Sequence, residues 1–154
     1  MPRKKNWTPG NVVAVPLEEG GYGFGVVITP SLTGFFNIKS DEPEMPSNIE
    51  KAELLFSIWV MNRAISKNHW KVIGEIEIPK TYDLNPWFYK FDFISKKYSL
   101  TKDGGDEAPA TLEECKKHEC AAVWDPEHVE SRLTDHFAGR ENDWVKQLQA
   151  ENQT

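Results

Sequence analysis

Apolar residues in the first two-thirds of the chain fall in short β-branched runs and alternations that predict strands. Val12–Leu17 is the first run, and Glu18-Glu19-Gly20-Gly21 supplies the glycines a tight hairpin turn needs. In the next run Tyr22, Phe24, Val26 and Ile28 share one face. Gly23 and Gly25 occupy the other, which signals a close backbone approach or a bulge. Pro30-Ser31 ends that strand, and Thr33–Ile38 reads as a third. Ser40–Pro46 is an acidic, proline-bearing loop, after which Ser47 and Glu50 have capping-box spacing for a short helix. Leu54–Met61 is apolar on both faces, the pattern of a covered central strand. Ser66-Lys67-Asn68 turns the chain into His69–Ile78, one strand or a pair. Beyond a loop bracketed by Pro79 and Pro86, Trp87, Tyr89, Phe91 and Phe93 alternate along an aromatic strand. Ser95-Lys96-Lys97 then turns into Tyr98–Thr101.

After that the period changes. Lys102–Pro109, with two glycines and three acids, reads as loop. Thr111 and Glu114 have capping-box spacing for another short helix, and Ala121–Trp124 reads as one more short strand. Asp125-Pro126 is a helix start, an N-cap acceptor followed by Pro at the first helical position. That helix should run to Ala138 and stop at Gly139, and a last one should cover Asn142–Gln149. No internal repeat or low-complexity tract interrupts the chain. The pattern predicts an α+β protein: a curved antiparallel sheet, or a small SH3-like barrel, with C-terminal helices packed on it. Likeness of the opening strand order to SH3-type barrels concerns fold alone.

Length fits one domain over residues 1–154, with residues 1–8 as a flexible tail. A chain of 154 residues buries roughly 68–70% of its unfolded surface, so it needs neither disulfide nor metal to hold a core. Lys and Arg number 18 against 24 Asp and Glu, a formal charge of −6. That balance disfavours nucleic acid, whose binding requires cations against phosphate. It suits a basic partner, and equally it keeps a protein soluble. Only two cysteines occur, Cys115 and Cys120, so no disulfide framework is expected. The basic start Arg3-Lys4-Lys5 precedes an apolar run too short for a signal sequence. No stretch approaches the ~18 apolar residues of a membrane span. The expected location is the cytoplasm.

Candidate chemistry concentrates on the helix after Trp124. Asp125, His128, Arg132, Asp135 and His136 fall within about 100° of its circumference, with His128, Arg132 and His136 on one i, i+4, i+8 stripe. Three readings stand for this stripe: a surface for a partner, a metal or acid–base site, or an internal ion-pair network. A fixed cation between two histidines disfavours a metal. Cys115, His118 and Cys120 resemble half a zinc site without a second half. No G-x-S-x-G elbow or phosphate-binding P-loop occurs. The glycines at 21, 23 and 25 lie inside a hairpin and not before a helix. Loop carboxylates (Asp41, Glu42 and Glu44, then Asp103, Asp106 and Glu107) together with Trp59 and Trp87 have the chemistry of a surface that pairs with Lys or Arg and anchors through rings.

Four motifs in order resemble the immunity protein 26 family of bacterial polymorphic toxin systems. They are Pro9-Gly10-Asn11-Val12-Val13 with Gly21-Tyr22-Gly23-Phe24-Gly25, then Gly34-Phe35-Phe36 leading to Ser40-Asp41-Glu42-Pro43. Phe56-Ser57-Ile58-Trp59-Val60-Met61-Asn62-Arg63-Ala64 follows, and last Ala121-Ala122-Val123-Trp124-Asp125-Pro126-Glu127-His128-Val129-Glu130 through Arg140. Asn11 stands where the family pattern leads us to expect Asp. Both are turn residues. The resemblance implies a small non-catalytic protein, made beside a toxin, that binds the toxin domain and blocks it. No cofactor, catalytic residue or metal ligand is implied. The residues expected to face the toxin are Asp41, Glu42, Glu44, Trp59, Trp87, Asp125, His128, Arg132, Asp135 and His136. The rival expectations are a generic protein- or peptide-binding adaptor and a metal-dependent hydrolase using His128, Asp135 and His136.

Overall fold

The computed structural model describes residues 7–30, 32–67 and 69–153. The expected tail lies outside these through residue 6, as do the turn residues Ser31 and Asn68. The described chain forms two compact units, one drawn from Met1–Tyr82 with Val123–Arg140, the other from Asp83–Ala122 with Glu141–Thr154.

The first unit is built on a six-stranded sheet. Its strands are β1 (Asn11–Pro16), β2 (Tyr22–Thr29), β3 (Leu32–Phe36), β4 (Leu54–Val60), β5 (Lys71–Glu75) and β9 (Val123–Trp124), in the order β5-β1-β2-β3-β4-β9. This order does not close on itself, so of the two expected architectures the open sheet is the one found. Register shifts at Val12/Val13, Val27/Thr29 and Phe35/Phe36 interrupt three of the ladders. Such irregularities bend strands and curve a sheet. One pairing departs from the antiparallel expectation: β9 runs parallel to β4, because the chain re-enters the sheet from the second unit and not through a hairpin. Residues of both parities on β1, β2 and β3 are buried. Both faces are therefore covered, which is why these strands read as apolar runs.

Gly23 explains part of that cover. A Cβ there would lie 3.1 Å from Leu133 Cδ1 and 3.8 Å from Phe137 Cε2, so helix α3 (Pro126–Ala138) rests where β2 lacks a side chain. Val129 and Leu133 are the fully buried residues of its inner face. Trp70, also fully buried, meets Phe35 edge-on at 5.7 Å, and Phe35 packs on Phe56 at 5.2 Å. The helix ends as expected, with Gly139 left-handed at φ 71°. Helix α1 (Arg63–Ser66) is a single turn after β4.

The second unit is a three-stranded meander, β6 (Phe88–Asp92), β7 (Lys97–Thr101) and β8 (Glu107–Pro109). The last of these corrects the loop expected over Lys102–Pro109: backbone pairing of Ser99–Thr101 with 107–109 extends this exposed, polar segment as an edge strand. Helix α2 (Leu112–Cys115) opens with the capping box expected of Thr111 and Glu114, and α4 (Asp143–Gln147) is capped by Asn142. Tyr89, Cys115 and Ala150 form the buried centre, with Tyr98, Leu100 and Leu112 packed on it. Two tyrosines tie the C-terminal segment down: Tyr89 Oη donates to the Leu148 carbonyl, and Tyr98 Oη donates to that of Ala150 at 2.8 Å.

Ser47 and Glu50 form no capping box. The chain there is a 3-10 turn, Ile49–Lys51, flanked by left-handed Asn48 with no side-chain cap. Burial of Ile49, 1% exposed, sets that geometry and places Glu50 one position too early to reach back to Ser47.

Candidate functional site

Helix α3 begins as the sequence requires, with Asp125 extended and Pro126 at the first helical position. The carboxylate of Asp125, however, makes no cap hydrogen bond. It turns to Arg63, accepting from Nη2 at 3.3 Å, and lies 3.6 Å from His128 Nδ1. Arg63 is the centre of this group. Its Nη1 and Nη2 also donate to the two carboxylate oxygens of Glu127, at 3.0 and 2.7 Å. A forked guanidinium on a carboxylate is among the stronger surface pairings. Those hydrogen bonds hold the Glu127 carboxyl down at about 2. Both acids also sit at the positive end of the helix dipole.

The remaining stripe residues separate into local sets. The Arg132 guanidinium lies 3.5 Å from the centroid of the Phe56 ring and 5.1 Å from that of Trp124, a stacked, half-buried cation. Asp135 accepts from Arg140 Nε at 3.1 Å, and Arg140 reaches Glu19 at 2.6 Å. His136 Nε2 is hydrogen-bonded to Asn37 Oδ1 at 3.1 Å. Asp125 and His136 stand about 16 Å apart along the helix at 1.5 Å per residue. Among the described residues no group of three or more His, Cys, Asp or Glu is arranged to hold a metal ion. Burial raises both cysteine thiols above their ordinary range, which keeps them protonated near neutral pH.

An apolar strip borders the Arg63 group. In the β4–β9 pairing Trp59 lies beside Val123 and Val60 beside Trp124. Val60 and Trp124 point inward, 1% and 4% exposed. The alternate parity puts half-buried Trp59 beside Val123, which is 59% exposed on the last strand of the sheet. Met61, 38% exposed, follows and donates its N–H to the Trp124 carbonyl at 3.0 Å. Trp59, Val123 and Met61 thus present an apolar edge rimmed by Arg63, Asp125 and Glu127.

The other expected residues lie elsewhere. Asp41, Glu42 and Glu44 are exposed in a bend that starts four residues beyond Asn37, the partner of His136. Trp87 belongs to the second unit, half-buried under the Lys102 ammonium at 4.5 Å. Met61, Arg63, Val123 and Glu127 lie within the sequence motifs, but their pattern alone assigns them to no surface. Their only signal was proximity to Trp59 and Asp125. The pairing that joins them spans 62 residues or more. Glu130 was likewise unassigned. It accepts from the indole of Trp70 at 2.9 Å and lies 2.7 Å from His69 Nε2, locking α3 onto the sheet.

Among the described residues no helix is long and apolar enough to cross a membrane. A model of the family described as immunity protein 26 matches residues 8–100. The match covers the first three sequence motifs; the stretch from Ala121 to Arg140 lies beyond its end. No curated protein and no solved structure matches the chain.

Proposed function

The chain belongs to the immunity protein 26 family, and from that premise we propose that it binds a cognate toxin domain and silences it by covering its working surface. The observation that carries this reading is the β9 edge, where exposed Val123 and Met61, with half-buried Trp59 beside them, lie inside a rim of paired charges. A water-accessible apolar centre with a polar rim is the anatomy of a specific protein contact. Exposed Asp41, Glu42 and Glu44 add negative potential that steers a basic toxin surface during encounter.

The protein acts in this account without catalysis, in the cytoplasm, on a toxin encoded by the neighbouring gene. The polar side chains of α3 support a non-catalytic role, since Asp135 is engaged by Arg140, His136 by Asn37 and His128 by Asp125. We also take the two units as one functional domain: the chain passes between them three times, and the family match runs through residues of both.

The test is co-expression with the toxic domain of the adjacent gene. Wild-type protein should restore growth and co-purify with that domain. Val123→Asp, and Met61→Asp as a second variant, should fold normally and weaken binding by about 2 kcal/mol or more, the range of interface hot spots. Failure of the wild-type protein to co-purify overturns the reading.

A further inference from the structure

The apolar face of the second unit outruns its own core. Tyr89 and Phe91 alternate on β6 and so share one face, and Phe93 follows as the first residue of the turn. Tyr89 is 1% exposed in the core, facing Leu100 across the ladder. Phe91 stands opposite Tyr98, ring on ring at 4.7 Å. Phe93 meets Phe91 edge-on at 5.1 Å yet is 62% exposed, and Ile94 beside it is 96% exposed. Two large apolar side chains therefore occupy the tip of a four-residue turn, where polar residues normally serve.

This tip is rigid. Asp92 Oδ1 accepts from the N–H groups of Ile94 at 2.8 Å and Ser95 at 3.3 Å, and the Asp92 carbonyl accepts from Lys96 N at 2.7 Å. Those amides hold the Asp92 carboxyl below its ordinary range, so the acid nearest the tip is committed to the turn. Two exposed lysines stand beside it, Lys96, left-handed at φ 60°, and Lys97, while Lys90 lies 3.7 Å from Glu107. A preformed apolar wedge loses little conformational freedom on docking.

We infer that the Asp92–Lys97 turn is an anchor whose Phe93 and Ile94 enter an apolar pocket with an acidic rim on the toxin domain. The inference rests on the toxin-binding reading and names a contact within it. The lysines around the tip select the acidic rim. The formal charge of −6 over the whole chain sets the molecule against an anionic lipid surface, the other material a Phe-Ile-Lys tip would suit.

The experiment uses the full chain and the toxic domain of the adjacent gene, with affinity measured by titration calorimetry and fold by thermal unfolding. Ile94→Asp should raise Kd at least about 30-fold with an unchanged unfolding midpoint, and Phe93→Ala about 10-fold or more. Lys96→Glu with Lys97→Glu should slow association at low salt. Equal binding by wild type and Ile94→Asp overturns the anchor and leaves the toxin-binding reading standing. No binding by wild type overturns both. Sedimentation of wild type, and not of Ile94→Asp, with phosphatidylglycerol vesicles would make the tip a membrane contact and overturn the inference. So would loss of a wild-type dimer in Ile94→Asp.

Discussion

Glu127 and Glu130 are three residues apart on one helix, yet their surroundings give them different weight. Glu127 sits on the surface, its side chain 52% exposed, with its carboxyl held at about 2 by the forked Arg63. Because its pKa is lowered in the folded state, the pair contributes fully above the ordinary value of 4.5 and fades as pH falls toward 2. Solvent screening limits that contribution to at most about 1 kcal/mol. Urea unfolding of Glu127→Gln should therefore show a small deficit against wild type at pH 7 that narrows by pH 3. A deficit that widens on acidification would remove Arg63 as its cause. Glu130, only 14% exposed, accepts from a fully buried indole, and an acceptor lost there strands a buried donor. Neither role is visible in the sequence. Both glutamates read as polar faces of an amphipathic helix, and their partners, Arg63 and Trp70, lie 64 and 60 residues away. What the sequence does reveal is backbone demand. The Asp125-Pro126 start and the Gly139 stop were legible because they depend on the chain's own torsions.

Two segments with the same Ser/Thr-x-x-Glu spacing behave differently. At α2 the box is complete: Glu114 N donates to Thr111 Oγ1 at 3.1 Å, and Thr111 N donates to Glu114 Oε1 at 3.0 Å. At Ser47 no such bonds form, because the buried Ile49 opens a 3-10 turn whose flanking residue is Asn48. Thr111→Ala should cost about 1 kcal/mol, while Ser47→Ala should stay within about 0.5 kcal/mol, both measured by chemical denaturation. Equal costs would mean that the two segments share one structure. Strand prediction divided along a similar line. β1 to β3 were legible since their apolar runs state their burial, whereas β4, expected to be covered on both faces, is half-buried apart from Ile58 and Val60. β8 was not, because Glu107–Pro109 is exposed throughout and joins the sheet only through its backbone. Sequence pattern likewise missed the parallel join of β9 to β4, which is set by the path of the chain through the second unit.

Taken together, the α+β class and the family were legible, the latter through motifs now matched over residues 8–100. The residues expected to face a partner are dispersed over the fold. Trp59 and Asp125 do fall on one edge, but Trp87 sits in the other unit, and Asp135 and His136 lie at the far end of α3. Rates can separate the pieces. Carboxylates in an exposed bend act at a distance, so they should govern how fast the partners meet; apolar residues act only in contact, so they should govern how long the partners stay. Replacing Asp41, Glu42 and Glu44 together by Asn, Gln and Gln should slow association with a basic toxin domain at low salt, leave dissociation nearly unchanged, and flatten the salt dependence of the on-rate. Val123→Asp should do the reverse, with dissociation faster by roughly 30-fold, an effect that persists at high salt. Stopped-flow mixing across an ionic-strength series measures both. An on-rate indifferent to salt in the wild-type protein would strip the acidic bend of its steering role, while the apolar edge would still be judged by its own off-rate.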